Sequence, residues 1–72
     1  MTLMTQLERL KRIDALIRRK ATGSPEELAK RIHVSRATMF RHIDDLRALG
    51  APVVYDKTRQ TYRYDEPFEL KF

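Results

Sequence analysis

Between Ser24 and Gly50 the chain carries two helix-start signals and one stop, and their spacing leaves room for two short helices joined by a tight turn. Ser24-Pro25-Glu26-Glu27 puts a hydroxyl at the N-cap and a proline at the first helical position, where its missing N–H costs nothing. A glutamate at the third position can answer the cap's own N–H. The helix begun there is expected over about 25–32, because His33 and Val34 interrupt it before Ser35 offers a second hydroxyl cap. Its inward residues are Leu28, Ala29 and Ile32, and the small Ala29 lets another helix come close. The following helix is expected over about 35–49, with Gly50 as its left-handed terminator and Pro52 barring continuation.

Upstream, Leu7, Leu10, Ile13, Leu16 and Ile17 keep the three-and-four spacing of an amphipathic helix over about 5–20. Thr5 and Glu8 read as a capping box at its start and Gly23 as its stop. Most of the cations between its apolar positions read as a solvated face, while Arg18, Arg19 and Lys20 lie within reach of a phosphate. After Pro52 the period becomes alternating. Val53 to Tyr55 and Thr61 to Tyr64 read as a hairpin over about 53–64, turning through Asp56-Lys57-Thr58-Arg59-Gln60. Phe68, Leu70 and Phe72 alternate as a final strand or tail over 67–72. The expected fold class is α+β, mainly α: one domain over 1–72, with a three-helix helix-turn-helix core and a C-terminal two- or three-stranded β-wing.

A chain of 72 residues buries only about 60% of the surface its unfolded form exposes. It has no cysteine, which removes disulfides and thiolate metal sites as sources of stability and leaves helix packing and dimerisation. That composition accords with a reducing cytoplasm. No apolar run reaches the roughly 18 residues of a membrane span, and the N-terminus becomes charged too early for a signal peptide, so a soluble cytoplasmic protein is expected. An enzyme is not expected: there is no Gly-rich phosphate loop and no metal-ligand cluster, and neither His33 nor His42 has a carboxylate placed to orient it. His33 reads as a turn residue. No metal, cofactor or small-molecule effector is implied. Fifteen Lys and Arg against ten Asp and Glu give a net charge of +5, which favours a polyanionic partner.

On a helical wheel the third helix gathers Met39, Ile43 and Leu46 into a buried stripe, widened by Phe40 on one side and Leu49 on the other. Ala37, Thr38, Arg41, Asp44, Asp45 and Ala48 fall opposite, with Arg36 and His42 on the flanks. Ser35, Ala37 and Thr38 are small or hydrogen-bonding, which lets the helix enter a groove about 12 Å wide. Arg41 follows one turn later, where its planar guanidinium can pair with guanine O6 and N7 or clamp a phosphate. The expected base or groove set is Ser35, Ala37, Thr38, Arg41 and His42. Arg36 on the flank, Ser24 at the preceding helix start and the wing residues Lys57, Thr58, Arg59 and Gln60 form the expected phosphate set. Asp44 is expected to pair with Arg41 or Arg47 at three-residue spacing. Tyr62 and Tyr64 share one strand face, expected to cover the core rather than to stack on bases.

The stretch SPEELAKRIHVSRATMFRHIDDLRALGAPVVYD resembles the N-terminal winged-helix domain of WYL-type and DeoR-type bacterial transcriptional regulators. The resemblance spans about residues 7 to 65 and rests on the ELA helix, the Val-Ser turn, the Thr-apolar-aromatic-Arg run and the LxxLG ending. It implies a winged-helix DNA-binding module with Ser35, Thr38 and Arg41 at the contact positions. The chain departs from the family at Ala37, where arginine is frequent, and at His42, where aspartate is frequent. It departs also in the wing, where Arg59-Gln60-Thr61 replaces a glycine turn and implies a longer loop with no forced left-handed residue.

Those regulators carry a large C-terminal domain, whereas this sequence stops at Phe72. A lone winged helix reads too few base pairs to discriminate among about a million competing sites. A homodimer on paired half-sites is therefore expected, joined through helix 1 with Met1, Leu3 and Met4 or through 67–72. The expected function is sequence-specific double-stranded DNA binding by a small repressor-like regulator acting by occupancy. Two alternatives are a protein-interaction adaptor, supported by Asp44-Asp45 and the apolar C-terminus, and an RNA-binding module, favoured if the tyrosines are exposed.

Overall fold

The structure, a computed structural model, describes residues 3–71, with side chains described from residue 5 onward. Three helices come first, α1 (Leu3–Arg18), α2 (Pro25–Arg31) and α3 (Arg36–Ala48), followed by β1 (Val53–Asp56) and β2 (Thr61–Tyr64). The strands pair antiparallel with Val53 opposite Tyr64 and Asp56 opposite Thr61. α2 packs on α3, α1 packs on α3 and β2, and the end of α3 packs on β1. This is a winged helix-turn-helix of mainly helical content.

Each helix ends with the same pair of backbone hydrogen bonds around one left-handed residue. At the end of α1 that residue is Lys20 (φ 55°), with Lys20 N–H on Ile17 O at 3.0 Å and Ala21 N–H on Leu16 O at 2.9 Å. At the end of α2 it is His33 (φ 57°), with His33 N–H on Lys30 O at 3.2 Å and Val34 N–H on Ala29 O at 3.0 Å. At the end of α3 it is Gly50 (φ 98°), with Gly50 N–H on Arg47 O at 2.9 Å and Ala51 N–H on Leu46 O at 3.0 Å. Lys20 and His33 accept a left-handed backbone that costs a residue with a Cβ about 1 kcal/mol, so packing on both sides of each turn must hold them there.

Two expectations about α1 are corrected. The helix begins at Leu3, so Thr5 and Glu8 lie within it rather than across its start. Gly23 does not stop it; Lys20 does, and Gly23 (φ 71°) instead brings the chain against Glu27, where a Cβ would sit 2.9 Å from that residue's own Cβ. The α2 start is as expected. Ser24 Oγ accepts from Glu27 N–H at 3.3 Å while Glu27 Oε1 accepts from Ser24 N–H at 3.4 Å.

The core is built on Ile13, Leu28, Met39 and Leu46, all fully buried, with Leu10, Ile17, Ile32, Ile43, Val53 and Tyr62 around them. Phe40 and Leu49 are not part of the stripe, being 42% and 49% exposed. The buried arc of α3 is shifted to the other edge of the stripe, so that His42 is covered and Phe40 is left out. A buried hydroxyl pair ties the α1–α2 connection to the sheet. Thr22 N–H donates to Thr61 Oγ1 at 3.3 Å, Tyr62 N–H donates to Thr22 Oγ1 at 2.8 Å, and the two hydroxyl oxygens lie 3.1 Å apart.

Residues 65–71 form no strand, so of the two expected forms the wing is the two-stranded one and the C-terminal segment is a tail. Pro67 has no N–H to give to a ladder, and the Phe68 carbonyl accepts instead from Arg18 Nη2 at 2.9 Å. Phe68 meets Tyr64 edge-on at 5.1 Å between ring centroids, and Leu70 also packs against the core. Met1 and Phe72, and the side chains of Leu3 and Met4, lie outside the described residues.

Candidate nucleic-acid interface

The outer side of α3 runs from its cap to its last turn without cover from the rest of the described chain. Ser35, Arg36, Ala37, Phe40, Arg41, Asp44 and Ala48 are exposed and Thr38 is half-buried. The cap shapes the first turn. Ser35 Oγ accepts from Thr38 N–H at 3.2 Å and donates to Thr38 Oγ1 at 3.1 Å, which commits its proton to the cap and leaves the Thr38 hydroxyl proton free to donate outward.

Arg41 stands at the middle of this surface. Of the two partners open to Asp44, the structure uses Arg47, at 3.4 Å. Among the described residues no carboxylate forms an ion pair with Arg41. Arg47 also donates through Nε and Nη2 to Val53 O, at 3.3 and 3.2 Å, and so ties the end of α3 to the start of the wing. Arg36, expected on the phosphate flank, is exposed but already engaged: its Nη1 lies 3.5 Å from Glu26 Oε1 and its guanidinium stands over the Phe40 ring.

His42 is removed from the groove set. It is 3% exposed and sits in the core, where neither ring nitrogen has a hydrogen-bond partner among the described residues. Nδ1 is 3.8 Å from Asp45 Oδ2, close enough for charge attraction and too long for a hydrogen bond. Burial lowers the imidazole pKa below its ordinary value, Asp45 opposes that, and Arg9 from α1 and Arg41 reinforce it. The expectation failed because a wheel cannot show which side of α3 meets α1.

The wing tip is exposed from Lys57 to Gln60. Asp56 Oδ1 accepts from Arg59 N–H at 3.1 Å, and Gln60 closes the turn with φ 52°. The expected loop without a left-handed residue is therefore corrected: Gln60 adopts the backbone a glycine would otherwise supply. Ser24 is half-buried; its hydroxyl oxygen accepts at the α2 cap, which leaves its hydroxyl proton to donate.

The tyrosines face inward. Tyr62 is 4% exposed with Tyr55 edge-on at 5.0 Å, and the Tyr64 hydroxyl donates to Asp14. No stacking platform for bases exists on that strand face. Sequence reasoning missed the Thr22–Thr61 pair and the Asp14–Tyr64 bond, since neither leaves a signal in local spacing. It also missed the exposure of Phe40.

Among the described residues no group of His, Asp and Glu is placed to hold a metal ion, and no helix is long and apolar enough to cross a membrane. No curated protein and no solved structure shows significant similarity to the chain. Residues 7–63 match the HTH domain family, a span that contains the helix-turn-helix and both wing strands. A helix-turn-helix unit whose second helix keeps an open face, followed by a two-stranded wing and matched over most of its length, places this chain in the HTH domain family found in WYL-type and DeoR-type bacterial regulators.

Proposed function

We propose that this winged helix binds double-stranded DNA sequence-specifically, as a small repressor-like transcriptional regulator that acts by occupancy. In this reading α3 lies in the major groove and the wing tip, 56–60, follows the backbone or the adjacent minor groove. The observation that carries it is the open face of α3 with the unpaired Arg41 guanidinium at its centre. The small Ala37 lets the helix sit deep, Thr38 offers a hydroxyl proton to a base edge, and Arg41 pairs with a guanine. Ser35 contributes its remaining lone pair and the N–H groups of the helix start. Arg36, Lys57, Thr58, Arg59 and Gln60 contact phosphates, with Ser24 at the neighbouring helix start as a further backbone contact. The net charge of +5 agrees with a polyanionic partner. The pairing of Asp44 with Arg47 places a cation beside the carboxylate and partly offsets its repulsion of phosphate.

The inward tyrosines weigh against a base-stacking RNA role. Two copies would bind half-sites about 34 Å apart on one face of the duplex. With Phe68 and Leu70 packed on their own core, α1 is the favoured contact between copies. Such a protein would act in the bacterial cytoplasm, on the nucleoid. The test is duplex binding over a salt series. Five neutralised phosphates give a log–log slope of about −4.5, and a dependence near zero would contradict the reading.

A further inference from the structure

Phe40 is a large apolar side chain on the outer face of α3, 42% exposed, and neither the core nor a helix cap uses it. It follows Arg36 by four residues and Ala37 by three, so the three share one face. A long helical side chain leans back over the turn before it, and the Arg36 guanidinium, 5.9 Å from the ring centroid, marks Phe40 as doing so. The ring therefore covers the first turn of α3, the end of a recognition helix that reaches base edges. Arg36 shields one side of the ring and is drawn there by Glu26 at 3.5 Å. Ala37 adds no bulk beside it, so the ring is presented as an apolar edge with the Arg36 cation over one side.

Base edges in the major groove offer donors, acceptors and one apolar group, the thymine 5-methyl. A donor or acceptor pressed against a phenyl ring loses water and gains no partner. A methyl group there gains by burial. We infer that Phe40 packs on the 5-methyl of a thymine in the major groove and so selects a T·A pair at one position; this rests on the DNA-binding reading above. The Arg36 guanidinium over the ring argues for DNA as the occupant, because an apolar protein surface packed there would have to strip water from that cation without pairing it.

The experiment uses the full chain and duplexes recovered by it from randomised DNA. Each thymine of the recovered site is replaced in turn by deoxyuridine, which removes the methyl and leaves every hydrogen-bonding atom in place. The wild-type chain is expected to lose about three- to five-fold in affinity at one position, and Phe40→Ala to bind the thymine and uracil duplexes alike. The uracil scan on the wild type needs no variant and stands by itself; circular dichroism checks that Phe40→Ala keeps its helices. Binding that is indifferent to uracil at every position, or an equal loss in Phe40→Ala, overturns the inference and leaves the DNA reading intact. Recovery of no duplex above the random pool overturns both.

Discussion

The hydroxyl of Tyr64 donates to Asp14 across 2.5 Å, joining β2 to the middle of α1. The same carboxylate pairs with Arg18 at 3.1 Å, and Arg18 in turn holds the Phe68 carbonyl. One carboxylate thus fixes the wing and the C-terminal segment to the first helix.

Removing the hydroxyl by Tyr64→Phe is expected to cost about 1.5 kcal/mol, as for a hydrogen bond to a charged group, read as a lower urea midpoint. Burial, and then the Asp14 carboxylate, push the phenol above its ordinary value of 10.0. The folded state therefore keeps a proton that the unfolded state releases. The stability this contributes is complete below about pH 10 and is lost as pH rises further. Burial raises the Tyr62 phenol as well, so ultraviolet titration should show late-ionising tyrosine absorbance that Tyr64→Phe reduces.

His42 gives the opposite dependence. Its imidazole is buried and its pKa lowered from 6.5, so the unfolded chain takes up a proton at a pH where the folded chain does not. Its contribution is present above about pH 6.5 and is lost as pH falls from there through the lower folded-state pKa. Wild type and His42→Leu, compared by urea unfolding at pH 7.5 and pH 5, should diverge in favour of the variant at the lower pH. A stability difference independent of pH would contradict this account of the ring.

Thr22 answers a backbone N–H of the sheet. In Thr22→Val the shape is kept while the buried Tyr62 N–H loses the oxygen 2.8 Å away. The expected loss is about 1–3 kcal/mol for a donor left unpaired, measured as thermal or urea stability. Thr22→Ser keeps the oxygen and should lose clearly less.

On the DNA-facing side, Arg41→Ala is expected to cost about 1–3 kcal/mol of binding and to relax preference at one base pair. Lys57→Ala and Arg59→Ala should weaken all sequences alike and shift the salt slope by about 1 each. Quantitative titrations against a recovered site and a scrambled duplex separate the two behaviours.

The helix starts at Ser24 and Ser35 and the stop at Gly50 were legible because caps are local chemistry: a hydroxyl, a proline or a glycine acts within one turn of itself. Lys20, His33 and Gln60 adopt left-handed backbones that their side chains do not announce, so the true end of α1 and the closure of the wing loop were not legible. The exchange of Phe40 for His42 in the core has a related cause. The two residues lie on opposite edges of the apolar stripe, and only the docking of α1 decides which edge is covered. The C-terminal residues Phe68 and Leu70 read correctly as too apolar to stay free, but the carbonyl held by Arg18, which takes the place of strand pairing, joins residues 50 positions apart.

The central claim is that the open face of α3 and the wing tip meet DNA, and the direct measurement is amide chemical-shift mapping of the isotope-labelled chain titrated with a recovered duplex. The account predicts shifts concentrated at Ser35 to Asp44 and Lys57 to Gln60, with α1 little changed outside any contact between copies. Shifts centred on α1 or on 65–71, with the α3 face silent, would contradict it.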